Sequence, residues 1–417
     1  MSLNATPSSE RIHIGFFGKR NAGKSSLVNA ITGQDISVVS DVAGTTTDPV
    51  RKAMELLPLG PVVMIDTPGL DDEGMLGELR IKKTEAILNE VNLAVVVADV
   101  GTGLQNEEEE LIALLEKQKV PYIIAINKVD LEEGNENEEM PVRERGGLVQ
   151  NEIMQQPERA EQGAKILYVS ALTGYHINLL KDKIAELGKT QITEKKIVAD
   201  LIDPGDVVVL VVPIDEAAPK GRLILPQQQT IRDILDAGAI SVVCKDTELA
   251  DTLAKLGAKP KLVITDSQAF AKVSEIVPRD VLLTSFSILF ARYKGSLDAL
   301  VSGAGVLDKL QDGDRILMAE GCTHHRQCGD IGSVKIPALI RKHTNKNVEF
   351  ILCSGNEFPE ELGEYKLVIH CGGCTLTEQM MQRRLQACRE KQVPVTNYGM
   401  AIAHMNGILE RSMEIFK

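Results

Sequence analysis

The sequence predicts an α/β protein of three domains: a P-loop domain at residues 1–189, a small α/β domain at 190–266, and a doubly wound parallel-sheet domain at 267–417. Two observations support this prediction. A strand, a glycine-rich loop and a helix open the chain, and apolar runs then alternate with helical patterns as far as its end. A chain of 417 residues is long enough for several domains.

Composition excludes several classes of function. The formal net charge of −13 argues against a dominant nucleic-acid surface, which needs basic patches. The polar residues 1–10 lack the apolar core of a signal peptide. No apolar run approaches the roughly 20 residues of a membrane span. We therefore expect a cytoplasmic protein that binds neither membrane nor nucleic acid.

The opening motif has the order that a phosphate-binding loop requires. A strand is expected at residues 12–17, and a helix follows the loop through residue 31. Loop N–H groups would hold the β-phosphate at the helix N-terminus, Lys24 would neutralise the β- and γ-oxygens, and Ser25 would ligate Mg²⁺. The predicted loop residues are Gly18, Asn21, Ala22, Gly23, Lys24, Ser25 and Ser26.

Two further loops would complete the phosphate and Mg²⁺ contacts. The polar loop at residues 44–48 contains Thr45 and Thr46, and Thr46 is the predicted second hydroxyl on Mg²⁺. A strand at residues 62–65 leads to Asp66, which would support the Mg²⁺ shell, and to Gly69, whose N–H can meet the γ-phosphate.

Two later motifs predict the base. A strand at residues 123–126 ends in Asn127, Lys128 and Asp130, and residues 168–169 lead to Ser170 and Ala171. The Asp130 carboxylate can accept from guanine N1–H and from the exocyclic amine, and adenine offers neither donor. The Ala171 N–H could meet the guanine O6. The predicted nucleotide is therefore GTP, or GDP after hydrolysis, rather than ATP.

These motifs resemble the translation-factor-related GTPases, in particular the group that contains TrmE and Era. The residue after Gly69 is Leu70, which cannot orient water as the glutamine of Ras-like enzymes does. Asn21, with residues 40–45 nearby, matches the potassium-binding pattern of TrmE-like proteins, and a bound K⁺ would act as a fixed positive charge. The resemblance implies K⁺-stimulated hydrolysis with Lys24, Asn21, Thr46 and Gly69 as catalytic residues. Asn21 could instead only stabilise its loop, and Thr47 stands where TrmE-like proteins have Arg.

The middle domain shows no catalytic pattern. About three strands are expected, at residues 206–214, 239–244 and 262–264, with two helices between them. Such a unit has little surface to bury, so we expect it to pair with a second copy.

Thiols are concentrated in the third domain. Five of the seven cysteines lie between residues 322 and 374, which in a reducing compartment favours metal binding over disulfides. Strands are expected at 281–283, 316–318, 348–352, 367–369 and 394–396. Three of these strands lead to Cys322, Cys353 and Cys371, which would share one edge of a parallel sheet.

Cys322, Cys371 and Cys374 are the predicted metal ligands, and His324 or His370 could fill a fourth position. Each histidine has another possible role: His370 could only hydrogen-bond a sulfur, and His324 could only fix its loop. Cys353 could simply complete the packing of its strand. Three thiolates and one histidine suit both tetrahedral zinc and a [4Fe–4S] cluster, and spacing alone does not separate the two.

The whole pattern resembles the HydF family of [FeFe]-hydrogenase maturation GTPases. It combines the GTPase motifs, a small α/β unit, Cys-x-His at residues 322–324 and His-Cys-x-x-Cys at 370–374. The resemblance implies a [4Fe–4S] cluster on Cys322, Cys371 and Cys374, with a histidine or an exchangeable group in the fourth place. The middle domain would then be a dimerisation domain of a homodimer, and the third an iron–sulfur cluster domain.

The resemblance also implies partners and cargo. The protein would receive a transient two-iron precursor with CO and cyanide ligands and pass this H-cluster subcluster to [FeFe]-hydrogenase. The radical-SAM maturases HydE and HydG would be partners, and the GTPase would be a switch for their binding. Two alternatives are a ribosome- or tRNA-associated GTPase with a structural Cys₃His zinc site, and a redox enzyme that transfers electrons through the cluster.

Overall fold

The computed structural model describes residues 6–33, 49–70, 84–131, 165–191, 195–214, 223–321, 330–355 and 357–417. The chain folds into two compact units, Met1–Thr193 and Glu194–Lys417.

The first unit contains a six-stranded sheet in the order β2-β3-β1-β4-β5-β6. Its strands are β1 Ile12–Phe17, β2 Val50–Leu56, β3 Gly60–Asp66, β4 Leu93–Asp99, β5 Tyr122–Asn127 and β6 Lys165–Tyr168. Its α-helices whose full bounds the structure describes are α1 Lys24–Thr32, α2 Asn106–Lys117 and α3 Ile177–Lys189. Strand β2 is antiparallel to β3, and the other pairs are parallel. The central strands are continuous apolar runs because both faces of the sheet are covered.

Local sequence signals explain where the helices of this unit begin and end. Helix α1 ends at Gly33, which adopts a φ of +66° and donates its N–H to the Asn29 carbonyl. Helix α2 opens with a capping box between Gln105 and Glu108, and its acidic first turn suits the helix dipole.

The second unit contains two four-stranded parallel sheets, in the orders β10-β9-β7-β8 and β12-β11-β13-β14. Its strands are β7 Val207–Val211, β8 Ile240–Cys244, β9 Leu262–Thr265, β10 Leu282–Ser285, β11 Arg315–Ala319, β12 Glu349–Cys353, β13 Leu367–His370 and β14 Val395–Asn397. Its helices are α4 Leu225–Asp236, α5 Leu249–Lys255, α6 Phe270–Ile276, α7 Phe286–Lys294, α8 Leu297–Ala304, α9 Ile336–Thr344, α10 Glu378–Glu390, α11 Tyr398–Met405 and α12 Leu409–Ser412.

One strand lies in a different sheet from the one that the sequence suggested. The strand expected at 281–283 was assigned to the sheet of the third domain, but β10 pairs with β9, with Leu283 opposite Val263. The middle sheet therefore has four strands rather than about three, and it extends past residue 266. Strand–helix alternation indicates a parallel sheet without indicating which of two successive sheets receives a given strand.

The remaining strands give the parallel α/β arrangement that was predicted. Ala319 on β11 lies opposite Cys353 on β12 and His370 on β13, so these three strands end at the same edge. Among the described helices, none combines the length and the apolar character that crossing a membrane requires.

Candidate functional site

Two glycines hold the predicted phosphate loop against the sheet. A Cβ on Gly18 would lie 2.1 Å from the Val97 carbonyl oxygen, and one on Gly23 would lie 2.1 Å from Asn127 Nδ2. Both glycines have positive φ, +149° and +90°, which side-chain-bearing residues rarely adopt. The loop can therefore lie directly on the ends of β4 and β5, just before α1.

Lys24 and Ser25 stand where the sequence predicts them, in the first turn of α1 next to Ser26. The buried Lys24 ammonium donates to the carbonyls of Gly18, at 2.9 Å, and Lys19, at 2.7 Å. Ser25 Oγ donates to Asp66 Oδ2 at 2.6 Å. A hydroxyl and a carboxylate oxygen side by side are the kind of ligand that Mg²⁺ prefers, so the residues present fit this ion.

The segment after Asp66 lies beside the phosphate loop. A Cβ on Gly69 would be 2.9 Å from the Arg20 backbone nitrogen, and the Leu70 N–H donates to the Gly18 carbonyl at 3.2 Å. Leu70 is 8% exposed and packs in the core of this unit. Its apolar side chain therefore offers nothing to a hydrolytic water, as the sequence indicated.

The phosphate loop and the two base-recognition segments meet around Asn127. Its Nδ2 donates to the Ala22 carbonyl at 3.1 Å, and its Oδ1 accepts the Ala171 N–H at 3.1 Å. Asp130 accepts a short hydrogen bond from the Ser170 hydroxyl. Asn127 thus ties the phosphate loop to the base-binding loops.

Asp99 is a residue that the sequence analysis missed. It ends β4, and its Oδ2 pairs with Lys128 Nζ at 2.6 Å. Burial opposes ionisation of this carboxyl, but the bonds from Lys128 and the Gly101 N–H prevail and lower its pKa. Its position at the end of a strand beside β5 is the signal that could have identified it.

Some predicted residues lie outside the described part of the chain. These are Thr45 and Thr46, the rest of the proposed potassium loop at 40–45, and Cys322 and His324 of the metal motif. Asn21 is described, exposed and in the left-handed region, with a φ of +62°.

Cys371 directly follows β13 and is the middle residue of the candidate metal site. Its N–H donates to the Ala319 carbonyl at 2.8 Å. Its Sγ accepts the Gly321 N–H at 3.1 Å and the Gly373 N–H at 3.4 Å. Gly321 directly precedes Cys322 in the sequence.

The Cys374 turn is hydrogen-bonded to Gly321 as well. Thr375 Oγ1 donates to the Gly321 carbonyl at 2.8 Å. Gly373 takes a φ of +65°, which favours glycine, and a Cβ there would lie 2.4 Å from the terminal methyl of Met381. Burial raises the pKa of the Cys374 thiol, and the charge of Lys294 opposes that rise.

Cys353 ends β12 at the same edge and is partly buried, and burial raises the pKa of its thiol as well. A bound metal would displace the protons of such thiols. The sulfur donors and backbone N–H groups at this edge fit a thiolate-bound metal or cluster.

Both ring nitrogens of His370 contact protein groups. Its Nδ1 donates to the Cys371 carbonyl at 2.9 Å, and its Nε2 lies 2.9 Å from Arg384 Nη1. A guanidinium can only donate, so Nε2 must accept. Burial and the Arg384 charge lower the pKa of His370 to about 3, which keeps the ring neutral. These contacts favour a role for His370 in positioning Cys371 over the direct ligation that the sequence also allows.

Three family models match the chain. The hydrogen maturase F dimerization domain matches residues 197–295, and the hydrogen maturase F tetramerization domain matches residues 298–415. The model of the 50S ribosome-binding GTPase matches residues 13–128.

Curated relatives match the first unit. GTPase Der of Wolinella succinogenes is 34% identical over 180 residues, which are 42% of this chain and 36% of that protein. The tRNA modification GTPase MnmE of Carboxydothermus hydrogenoformans is 36% identical over 121 residues, 29% of this chain and 26% of that protein. The chain thus spans about a third or less of the length of these two relatives.

Among solved structures, Aquifex aeolicus Era bound to GDP and AlF₄⁻ matches with a TM-score of 0.33 and 19% identity. That match covers 56% of this chain and 92% of the Era chain. Similarity at this level supports no statement about function.

Proposed function

Because the chain belongs to the hydrogen maturase F family, we propose that it hydrolyses GTP and carries a [4Fe–4S] cluster on Cys322, Cys371 and Cys374. In this role it assembles or delivers the two-iron subcluster of the H-cluster to [FeFe]-hydrogenase. The observation that carries the proposal is the pair of hydrogen maturase F domain matches, at residues 197–295 and 298–415, behind a GTPase domain.

The nucleotide part of the proposal rests on the first unit. Lys24, which donates to the Gly18 carbonyl, would hold the β- and γ-phosphate oxygens, and Asp130 would select guanine. Asn127 links the phosphate loop to the base-binding loop through Ala22 and Ala171. Mg²⁺ at Ser25 and Asp66, with Thr46, would supply charge neutralisation, and K⁺ near Asn21 would add a further fixed charge. Leu70 leaves no side chain to orient water, which is why we propose that hydrolysis is K⁺-stimulated.

The cluster part of the proposal rests on the second unit. Gly321 and Gly373 donate to the Cys371 sulfur, and Thr375 donates to the carbonyl of Gly321, the residue before Cys322 in the sequence. Hydrogen bonds of this kind stabilise a thiolate. The cluster would supply an iron site for the two-iron precursor, and His324 or an exchangeable group would take its fourth position.

The proposed partners follow from the family. The hydrogenase receives the two-iron unit, and the radical-SAM maturases HydE and HydG contribute to it. The nucleotide state would change partner docking through the loops at 40–48 and 70–79. The dimerization and tetramerization domain matches indicate self-association, which we propose takes place through the middle domain in the form of a homodimer.

The test is anaerobic reconstitution of the full chain with iron and sulfide, followed by incubation with the precursor and with apo-hydrogenase. We expect about four iron and four sulfide per chain, and hydrogenase activity that appears only with the loaded protein. Cluster-loaded protein that fails to activate the hydrogenase would contradict delivery and would favour electron transfer instead.

The match of residues 13–128 to a 50S ribosome-binding GTPase favours one second candidate, a ribosome- or tRNA-associated GTPase with a structural Cys₃His zinc site. Metal analysis separates the two candidates. Colourless protein with one cysteine-bound zinc per chain, lost in Cys371→Ser, and no sulfide would support this second function and remove the first.

A further inference from the structure

Three side chains with metal-ligating atoms meet on the second unit, away from its cysteines. Asp308 lies in the 3₁₀ helix Gly305–Lys309, His343 in the last turn of α9, and His404 in the last turn of α11. Asp308 Oδ1 is 2.8 Å from His343 Nε2, and Asp308 Oδ2 is 2.9 Å from His404 Nε2. The three ligating atoms all lie within 4.8 Å of one another.

This cluster lies at the opposite edge of the sheet from Cys371. Asp308 precedes β11, and His343 precedes β12, so both belong to the edge where parallel strands begin. His404 reaches that edge because α11 starts after β14 and runs back antiparallel to the strands. The cysteine sulfurs, by contrast, lie where β12 and β13 end. The two groups are therefore separate sites.

The donor set suits a borderline divalent cation. Two imidazole nitrogens and one carboxylate oxygen are ligands that Zn²⁺, Fe²⁺ and Ni²⁺ accept, with water in the remaining positions. In a tetrahedral site with bonds of about 2.0–2.1 Å, neighbouring ligand atoms are about 3.3 Å apart. Asp308 presents Oδ1 to His343 and Oδ2 to His404, so whichever oxygen binds the ion, its 2.8 or 2.9 Å separation needs to open by about half an ångström to reach that spacing.

Two further features favour a cation at this position. Each histidine lies in the last turn of its helix, where the aligned peptide dipoles present their negative end. The side chains are also accessible: Asp308 is 54% exposed, His343 29% and His404 22%. An ion can therefore enter from solvent, and water can complete its coordination.

We propose that Asp308, His343 and His404 form a binding site for a divalent transition-metal ion. The ion joins the 3₁₀ helix that precedes β11 to the ends of α9 and α11, and it braces the base of the cysteine-bearing sheet. This site does not depend on the nucleotide or on the hydrogenase function.

The test is a titration of the full chain with Co²⁺ in saturating GDP and Mg²⁺, which occupy the nucleotide site, after its cysteines have been loaded with iron and sulfide. Cobalt bound by nitrogen and oxygen gives weak visible bands without sulfur charge transfer, which distinguishes this site from residual thiols. We expect one such ion per chain and a melting temperature of the second unit that rises with Co²⁺ or Zn²⁺. His343→Ala and His404→Ala should each abolish both effects.

The matched control is His176→Ala, which removes an exposed histidine from the first unit and should leave Co²⁺ binding unchanged. His404→Gln provides a milder variant in case alanine impairs folding, and circular dichroism without metal checks that each variant is folded. The proposal is overturned if wild-type protein binds no sulfur-free Co²⁺, since the three side chains then form only an ion-pair cluster. It is equally overturned if folded His343 and His404 variants bind as much cobalt as wild type.

Discussion

At the scale of single residues, His370 is held on both sides of its ring, by the Cys371 carbonyl and by Arg384. Its removal would leave a buried guanidinium without this acceptor and would loosen the residue that carries the Cys371 sulfur. Loss of such an outer partner typically weakens metal binding by roughly 10–100-fold, whereas loss of a ligand removes the metal.

We therefore predict that His370→Ala retains its cluster, with an unchanged electron paramagnetic resonance spectrum. A chelator should remove this cluster faster than it removes the wild-type cluster. Cys371→Ser should hold no cluster. Iron and sulfide assays before and after chelator treatment measure both effects. The control is Cys388→Ala, since this thiol is buried in α10 and should not matter for iron content. An altered spectrum in His370→Ala would make His370 a ligand after all.

Glu90 provides a pH-dependent contribution to the stability of the first unit. Burial alone raises the pKa of this carboxyl, but hydrogen bonds from Arg51 and His13 outweigh it and lower the pKa from 4.5 to about 2. Arg51 binds it with two bonds, of 2.9 and 2.7 Å. Because the folded pKa is the lower one, the stabilisation is present above pH 4.5 and is lost as the pH falls towards 2.

The predicted magnitude is about 3 kcal/mol at neutral pH, since each pKa unit corresponds to about 1.4 kcal/mol. Glu90→Gln should lower the unfolding free energy of the first unit by about this amount at pH 7. The difference from wild type should shrink as the pH falls below about 4.5. Denaturant titrations across this pH range measure it, and a constant difference would contradict the assignment.

At the scale of elements, the phosphate loop offers a clean test of the potassium proposal. Asn21 has a φ of +62°, a conformation that glycine adopts without strain. Asn21→Gly therefore removes the amide oxygen and keeps the loop. We predict that wild type hydrolyses GTP faster in K⁺ than in Na⁺ and that Asn21→Gly loses this difference. If the variant keeps its preference for K⁺, Asn21 only stabilises the loop.

The segment Val129–Leu131 contains Asp130, the residue that is predicted to recognise guanine. Asp130→Asn replaces two charge-assisted acceptors, each worth about 1.5–3 kcal/mol, so GTP affinity should fall by roughly 100-fold or more. Xanthine carries an oxygen where guanine carries its amine, and the amide of the variant can donate to that oxygen. Xanthosine triphosphate should therefore bind the variant better than GTP. Unchanged GTP affinity, measured with a fluorescent analogue, would contradict this role.

These elements also show which parts of the site were predictable from the sequence. The phosphate loop and the Asn127 motif each directly follow a strand. Their positions were therefore predictable from the order of residues along the chain. The partners of His370 were not predictable, because Arg384 approaches it from a helix fourteen residues later and from across the sheet edge. Asp308, His343 and His404 were missed for the same reason, since three separate elements bring them together.

Strand β10 shows that sheet membership was harder to predict from the sequence than the strand itself. Its sequence identifies it as a strand, but only its pairing with β9 decides which sheet it joins. That pairing depends on the packing of α7 and β9 in the second unit, which a linear pattern does not contain.

At the scale of the whole molecule, the exposed edge of the middle sheet is the feature that favours association. Strand β8 forms one edge, and two of its apolar side chains are open to solvent: Ile240 is 52% exposed and Val243 is 45% exposed. An apolar edge with unpaired backbone groups is a template for pairing with another chain. The dimerization-domain match covers this strand.

We predict that Val243→Lys shifts the protein from dimer to monomer, because a charge on an edge strand opposes edge-to-edge pairing. Full burial of a valine side chain contributes about 1.5–3 kcal/mol, and Val243 is already about half buried. Two copies therefore lose roughly 1.5–3 kcal/mol in total, and dimer affinity should fall by about 10–100-fold. Sedimentation velocity over a concentration series measures the change. Leu57→Lys is the control, since Leu57 is 76% exposed on the first unit and lies outside this sheet. A Val243→Lys protein that remains dimeric at wild-type affinity would place the self-association surface elsewhere on the chain.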